Sequence, residues 1–178
     1  MEKWDIYDEN RELTQKTVRR GDLINPGEYH LVIHFWIYNN QNQILIQKRN
    51  KPPEEFGGIW ACTGGSATSG ENSSTTAIRE MEEEMGIDIA QKDLTLLNSL
   101  KESDHFVDIY ISKWNGSIED VTIDPDEVLD AKWISIADMK AMIADKTLYN
   151  YGTEYLEKVI SHINISNSLS KSESGVKE

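Results

Sequence analysis

The densest run of apolar and β-branched side chains is His30-Leu31-Val32-Ile33-His34-Phe35-Trp36-Ile37-Tyr38, which reads as a buried strand over residues 30–38. Asn39-Asn40-Gln41-Asn42 then forms a hairpin connection, and 43–48 alternates as its partner. Upstream, Trp4, Ile6, Leu13 and Val18 give a short alternation broken by Asp-Glu-Asn and Arg-Arg, predicting a strand or hairpin over 4–20; Asn25-Pro26-Gly27 is turn material. Two prolines and four glycines between Asn50 and Gly65 predict a tight loop. Ile78, Met81 and Met85 then recur at helical spacing, with cap candidates among Ser73, Ser74, Thr75 and Thr76 and a stop at Gly86. Strands at 94–100 and 106–114, a turn at Asn115-Gly116, a strand at 128–134 and helices at 136–145 and 151–163 complete the pattern. Beyond 163 the Ser, Lys and Glu content has no apolar period, so a single domain over 1–163 and a disordered tail over 164–178 are expected.

The polar side of the 73–85 helix carries the candidate chemistry. At about 100° per residue, Glu80, Glu83 and Glu84 share one arc, while Glu82 projects elsewhere. Like charges at this spacing repel by about 0.2–0.5 kcal/mol per pair on an exposed helix, so a positive partner is expected. Hard carboxylate oxygens suit Mg²⁺ or Mn²⁺, which bind together with substrate phosphates. The run of glutamates alone reads more readily as a solvated acidic face.

Composition narrows the field. The chain has 178 residues and 38% hydrophobic content, enough for one domain with a real core. No apolar run reaches the roughly 20 residues of a membrane span, and the N-terminus lacks a secretory apolar region, so the cytoplasm is the expected compartment. One cysteine, Cys62, excludes an internal disulfide framework and a cysteine zinc site, and reads as a buried small hydrophobe. A formal charge of −13 argues against general nucleic-acid or anionic-membrane binding. It would also repel a polyphosphate, unless divalent cations at the glutamates reverse the local sign. Arg19 and Arg20 are within reach of a phosphate in principle, though paired exposed arginines are usually solvent charges.

Gly65, then Glu71, then Arg79-Glu80-Met81-Glu82-Glu83-Glu84-Met85-Gly86-Ile87 resembles the Nudix box of the Nudix hydrolase superfamily at every defining position. That resemblance implies an α/β/α sandwich with a mixed, curved sheet, a loop–helix–loop metal site, and Mg²⁺- or Mn²⁺-dependent hydrolysis of a diphosphate linkage. The implied small-molecule substrate is a nucleoside diphosphate joined to another moiety, and a homodimer is a common assembly in such proteins. Glu80, Glu83 and Glu84 become the metal ligands, with the Gly64 carbonyl a further candidate. Arg79 is expected to orient Glu83, and Glu71 to order the loop. The general base falls to Glu80 or to a later acid, with Glu127 first and Glu102, Asp104 and Asp126 as others. Lys48, Arg49 and Gly65 are candidate substrate contacts, and Trp60, Phe56 or Tyr29 candidate stacking surfaces.

His30-Leu31 with Trp36 and Tyr38-Asn39, and the run from Asp124 to Asp130 with Trp133 and Ile136-Ala137-Asp138, resemble isopentenyl diphosphate isomerase, itself of Nudix fold. That enzyme requires a cysteine where this chain has Gly65, a histidine where it has Ala67 and an acidic ligand where it has Phe106. Cys62 sits three positions too early to substitute. His30 matches one of the isomerase's metal ligands, but without the others it reads as a satisfied strand histidine. The alternatives to a hydrolase are therefore that isomerase activity and a Nudix-fold domain that senses a nucleotide without turnover.

Overall fold

A computed structural model describes residues 2–174. Among these the chain runs β1 (Lys3–Tyr7), β2 (Leu13–Arg19), β3 (His30–Tyr38), β4 (Gln43–Arg49), β5 (Trp60–Ala61), β6 (Thr63–Ser66), α1 (Ser73–Met85), β7 (Thr95–Lys101), β8 (His105–Lys113), β9 (Val128–Ser135), α2 (Ile136–Ala144) and α3 (Thr153–Ser174).

The apolar run at 30–38 becomes the middle of a seven-stranded mixed sheet. β3 pairs parallel with β8 along its whole length, from His30 opposite His105 to Tyr38 opposite Lys113. Its other edge is shared. β6 pairs with Val32, Ile33, His34 and Phe35, while β4 meets only Ile37 and Tyr38 before diverging to pair with β5 and β9. The sheet therefore forks, and the functional cleft opens between the branches.

Strand alternation sends side chains to opposite faces, which produces the expected α/β/α layers. Ile33, Phe35 and Ile37 of β3 meet Ala77, Met81 and Met85 of α1 on one face. Trp36 and Tyr38 meet Met139 of α2 and Leu156, Val159 and Ile163 of α3 on the other. Of the predicted apolar stripe of α1, Met81 and Met85 are buried, while at its start Ala77 is fully buried and Ile78 only partly so.

The 4–20 alternation forms a separate two-stranded antiparallel sheet, β1–β2. Arg11, at its turn with φ of 64°, donates two hydrogen bonds to the buried carboxylate of Asp108 on β8 and so pins the hairpin to the main sheet. Burial opposes ionisation of Asp108, but the bonds from Arg11, Ser73 and Ser99 prevail and hold its carboxyl below the ordinary range.

The tail departs from the expectation. α3 continues through Ser174, and residues 175–178 of the expected disordered segment lie outside the described residues. The buried series Leu156, Val159 and Ile163 is extended by Asn167, a polar residue that apolar periodicity does not register. Its amide donates to the Asn39 carbonyl (2.9 Å) and to Asn42 Oδ1 (2.6 Å), tying α3 to the β3–β4 hairpin. Asn167→Ala strips both acceptors of their donor, and the unfolding free energy from urea titration is expected to fall by about 1–3 kcal/mol.

Candidate active site

The N-cap of α1 lies one residue before the predicted candidates. Asn72 is the N-cap: its Oδ1 accepts from Thr75 N (3.0 Å), while Thr75 Oγ1 accepts from Asn72 N (3.2 Å). The helix ends at Gly86, whose left-handed φ of 65° and 2.9 Å clearance to the Thr122 side chain from a notional Cβ both demand glycine.

One guanidinium gathers the acidic side chains of the box. Arg79 donates to Glu71 through Nε (2.7 Å) and Nη2 (3.0 Å), and its Nη1 donates to both Glu80 Oε1 and Glu83 Oε2 (2.9 Å each). Nη2 also reaches the Ser66 carbonyl (3.3 Å), linking helix to loop. Glu71 accepts further bonds from Thr68 N (2.9 Å) and Thr76 Oγ1 (3.1 Å). Burial raises the Glu71 pKa, but its partners Arg79 and Thr68 outweigh this and bring it down to about 2. The hydrogen bond that Arg79 donates to Glu71, ahead of the charge of Glu80 and the bond to Glu83, holds Arg79 above its usual range against the opposing effect of burial.

Glu80 and Glu84 are held differently. A Cβ on Gly65 would stand 2.2 Å from the Glu80 carboxyl carbon, so glycine here is what lets that carboxylate lie against β6. Burial raises the pKa of Glu80 despite Arg79. Glu84 is 6% exposed, and one of its oxygens accepts from Gln47 Nε2 (2.6 Å). Thr63 Oγ1 donates to Gln47 Oε1 (2.9 Å), which fixes the amide's orientation. Burial pushes the Glu84 pKa up to about 7; Gln47 lowers it, while the charges of Glu80 and Glu127 raise it. Glu84 is thus a buried carboxylate short of positive charge.

These groups face a cleft of about 780 Å³. Glu80, Glu83, Glu84, Arg79, Gly64, Gly65, Arg49 and Glu127 all line it. Lys48 does not, because on β4 it faces away from the side shared by Gln47 and Arg49. Glu127 reaches the cleft on a loop in which Asp124 N donates to the Glu84 carbonyl (3.1 Å), and it forms an ion pair with Lys51. Glu102, Asp104 and Asp126 lie outside the lining. Arg20, read as a solvent charge, lines the cleft beside its partner Glu2 (2.9 Å). Lys51, Asp124, Tyr149 and Tyr151 also line it without having been singled out by sequence; only the fork in the sheet brings these segments together.

Trp60 lies off the cleft under Lys132, and Tyr29 packs on Phe106 at 4.9 Å; Phe56 stands in the cleft wall. His30 is not hydrogen-bonded through Nδ1 as a satisfied histidine would be; it is stacked on Trp4 at 4.1 Å. Burial and then His105 lower its pKa to about 4. Cys62 is buried against Tyr151, and burial pushes its thiol up to about 12, out of range for nucleophilic work.

Among the described residues no group of three or more His, Cys, Asp or Glu is converged to hold a metal. Glu80 and Glu83 are turned onto Arg79 instead. The donor set still fits a hard divalent cation, since it offers carboxylate oxygens lining one cleft and, at Glu84, a buried one whose pKa burial raises and a bound cation would lower. No helix among the described residues is long and apolar enough to cross a membrane.

The depressed pKa of Glu71 fixes a pH signature. Its ionised form contributes stability that is fully present above the unfolded value near 4.5 and is lost as pH falls toward about 2. Glu71→Gln should therefore melt below the parent protein at pH 6, and the two melting temperatures should converge as pH approaches 2 in thermal scans.

The NUDIX domain family profile matches residues 28–153. An uncharacterized Nudix hydrolase of Listeria monocytogenes is 40% identical over 143 residues, covering 80% of this chain and 85% of that protein. An isopentenyl-diphosphate Delta-isomerase of Photorhabdus laumondii is 28% identical over 70% of this chain and 72% of its own length. A Deinococcus radiodurans crystal structure superposes with a TM-score of 0.70 at 20% identity, covering 91% of this chain and 99% of that one. A Francisella tularensis bifunctional NMN adenylyltransferase/ADP ribose pyrophosphatase, crystallised with AMP and a manganese ion, superposes at 0.57 and 17% identity over 83% of this chain and 44% of its own. With the box filled at every defining position and its side chains gathered at one cleft, this chain belongs to the Nudix hydrolase family.

Proposed function

We propose that the protein hydrolyses the diphosphate linkage of a nucleoside diphosphate joined to another moiety, with Mg²⁺ or Mn²⁺ held by Glu80, Glu83, Glu84 and the Gly64 carbonyl. The observation that carries this reading is Glu84, a buried carboxyl group that lines one cleft together with Glu80, Glu83, Arg49 and Lys51. When bound, the ion neutralises phosphate charge and lowers the pKa of a water.

The remaining work belongs to the chain. Arg79 holds Glu80 and Glu83 at one helix face, and Gln47 orients Glu84. Arg49 has no side-chain ion pair or hydrogen bond among the described residues, which leaves its guanidinium for a phosphate oxygen. Glu127 is proposed as the group that takes the proton of the attacking water, with Lys51 fixing its position. The Francisella protein, named as an ADP ribose pyrophosphatase, supports both the manganese and the nucleotide part of this reading. Isomerase chemistry finds no support in the residues. Gly65 and Ala67 stand where it needs a thiol and an imidazole, and Ala67 packs with Leu31 and Phe106 in a small apolar cluster.

Tested against a panel of nucleotide sugars, dinucleotides and coenzyme A with Mg²⁺ or Mn²⁺, the protein is expected to release two phosphorylated products from at least one compound, and none with a chelator present. Glu83→Gln and Glu84→Gln should each lower kcat by on the order of 100-fold or more. Glu127→Gln should lower kcat by about 10²–10⁴-fold with little change in KM. Undiminished turnover with the chelator or with Glu84→Gln would remove the metal site from the mechanism.

A further inference from the structure

The cleft has an aromatic wall that the phosphate chemistry does not use. Phe56 is 51% exposed at its mouth. It follows a single helical turn, Pro53–Glu55, and holds a left-handed φ of 60°, a conformation that a non-glycine residue adopts at a cost. The loop is fixed there: Gly57 N donates to the Pro52 carbonyl (3.1 Å) and Gly58 N to the Arg49 carbonyl (2.8 Å). A large apolar side chain is thus presented to solvent by a constrained backbone, beside the strand that ends in Arg49.

Behind Phe56 the rings form a ladder into the core. Phe56 meets Tyr149 at 5.1 Å and 87°, Tyr149 meets Tyr151 at 4.8 Å, and Tyr151 stacks on Tyr155 at 5.0 Å and 23°. The inner end is locked, because Trp36 Nε1 donates to Tyr155 Oη (2.8 Å) and Cys62 N to Tyr151 Oη (3.0 Å). Tyr149 itself is positioned by its N–H to the Trp60 carbonyl (2.8 Å). Among the described residues cations lie over Tyr29, Phe106, Tyr38 and Trp60, and none lies over Phe56 or Tyr149. Among the described residues the exposed end of the ladder, Phe56, therefore lines the cleft with no cation over its ring.

We propose that Phe56 is a specificity-determining residue that stacks the nucleobase of the substrate, with Tyr149 packed edge-on behind it to hold the ring and Arg49, in the lining of the same cleft, to take the adjoining phosphate. This rests on the hydrolase reading and deepens it, because it selects base-bearing diphosphates over alkyl or sugar diphosphates that carry no aromatic ring. A planar base gains dispersion and desolvation against a ring that is already immobile, so little ordering entropy is lost on binding.

Calorimetry of the full chain in Mg²⁺ with adenosine 5′-monophosphate and with ribose 5-phosphate, neither of which has a diphosphate linkage to cleave, reads the base contribution apart from turnover. The nucleotide is expected to bind at least about 10-fold more tightly, Phe56→Ala to erase that difference, and Phe56→Trp to restore it. With ADP-ribose as substrate, Phe56→Ala should raise KM by about 10-fold or more and leave kcat within about two-fold, and Leu96→Ala, at an exposed leucine on β7, should change neither. Equal affinity for the two probes in the parent protein, or discrimination that survives Phe56→Ala in a variant with an unchanged melting temperature, overturns the proposal. If no diphosphate is turned over, the hydrolase reading fails and the binding comparison still decides this one. Hydrolysis with a KM indifferent to Phe56 upholds the hydrolase and defeats the stacking site.

Discussion

The site depends on one guanidinium. Glu71, Glu80 and Glu83 approach one another closely enough that, unpaired, their mutual repulsion would oppose both the loop and the helix, and Arg79 bonds to all three while also reaching the Ser66 carbonyl. A bidentate, charge-assisted contact of this kind fixes geometry as well as energy. It converts a cluster of like charges into a preorganised carboxylate face, and it leaves Glu84 of the same helix without a bond from Arg79, buried in the cleft with its pKa raised by that burial. Arg79 occupies one oxygen of Glu80 and one of Glu83, so on the proposed reading a divalent ion drawing on those oxygens would compete with Arg79, and ligand readiness and structural stability would be set by the same contact.

The sheet supplies the space. Because β3 divides one edge between β6 and β4, the residues after the divergence fall on separate branches, and Gly64, Gly65, Arg49 and Glu127 come to face one cavity from three parts of the chain. The N-terminal hairpin, outside the family match, closes one side through Arg20 and is itself held by the Arg11–Asp108 pair. The aromatic ladder closes another.

The box residues were legible in the sequence because helix periodicity alone puts Glu80, Glu83 and Glu84 on one arc and Met81 and Met85 on another. The central strand was equally legible, since its two faces are both apolar. What sequence could not show is pairing. Lys48 and Arg49 are neighbours with the same charge, and only the side of β4 on which each emerges decides that Arg49 enters the cleft. Gln47 gave no signal either, although it holds Glu84, because a strand glutamine looks like any other polar position. The far end of α3 was hidden for the same reason: Asn167 does in the core what periodicity assigns only to apolar side chains.

The central claim is that the box carboxylates exchange Arg79 for a divalent cation. Anomalous diffraction at the manganese edge, from crystals grown with Mn²⁺, tests it directly. The account predicts a peak among Glu80, Glu83, Glu84 and the Gly64 carbonyl, with Arg79 withdrawn from Glu80 or Glu83 and still bonded to Glu71. An anomalous map bare at those carboxylates, with Arg79 still bridging Glu80 and Glu83, would contradict it.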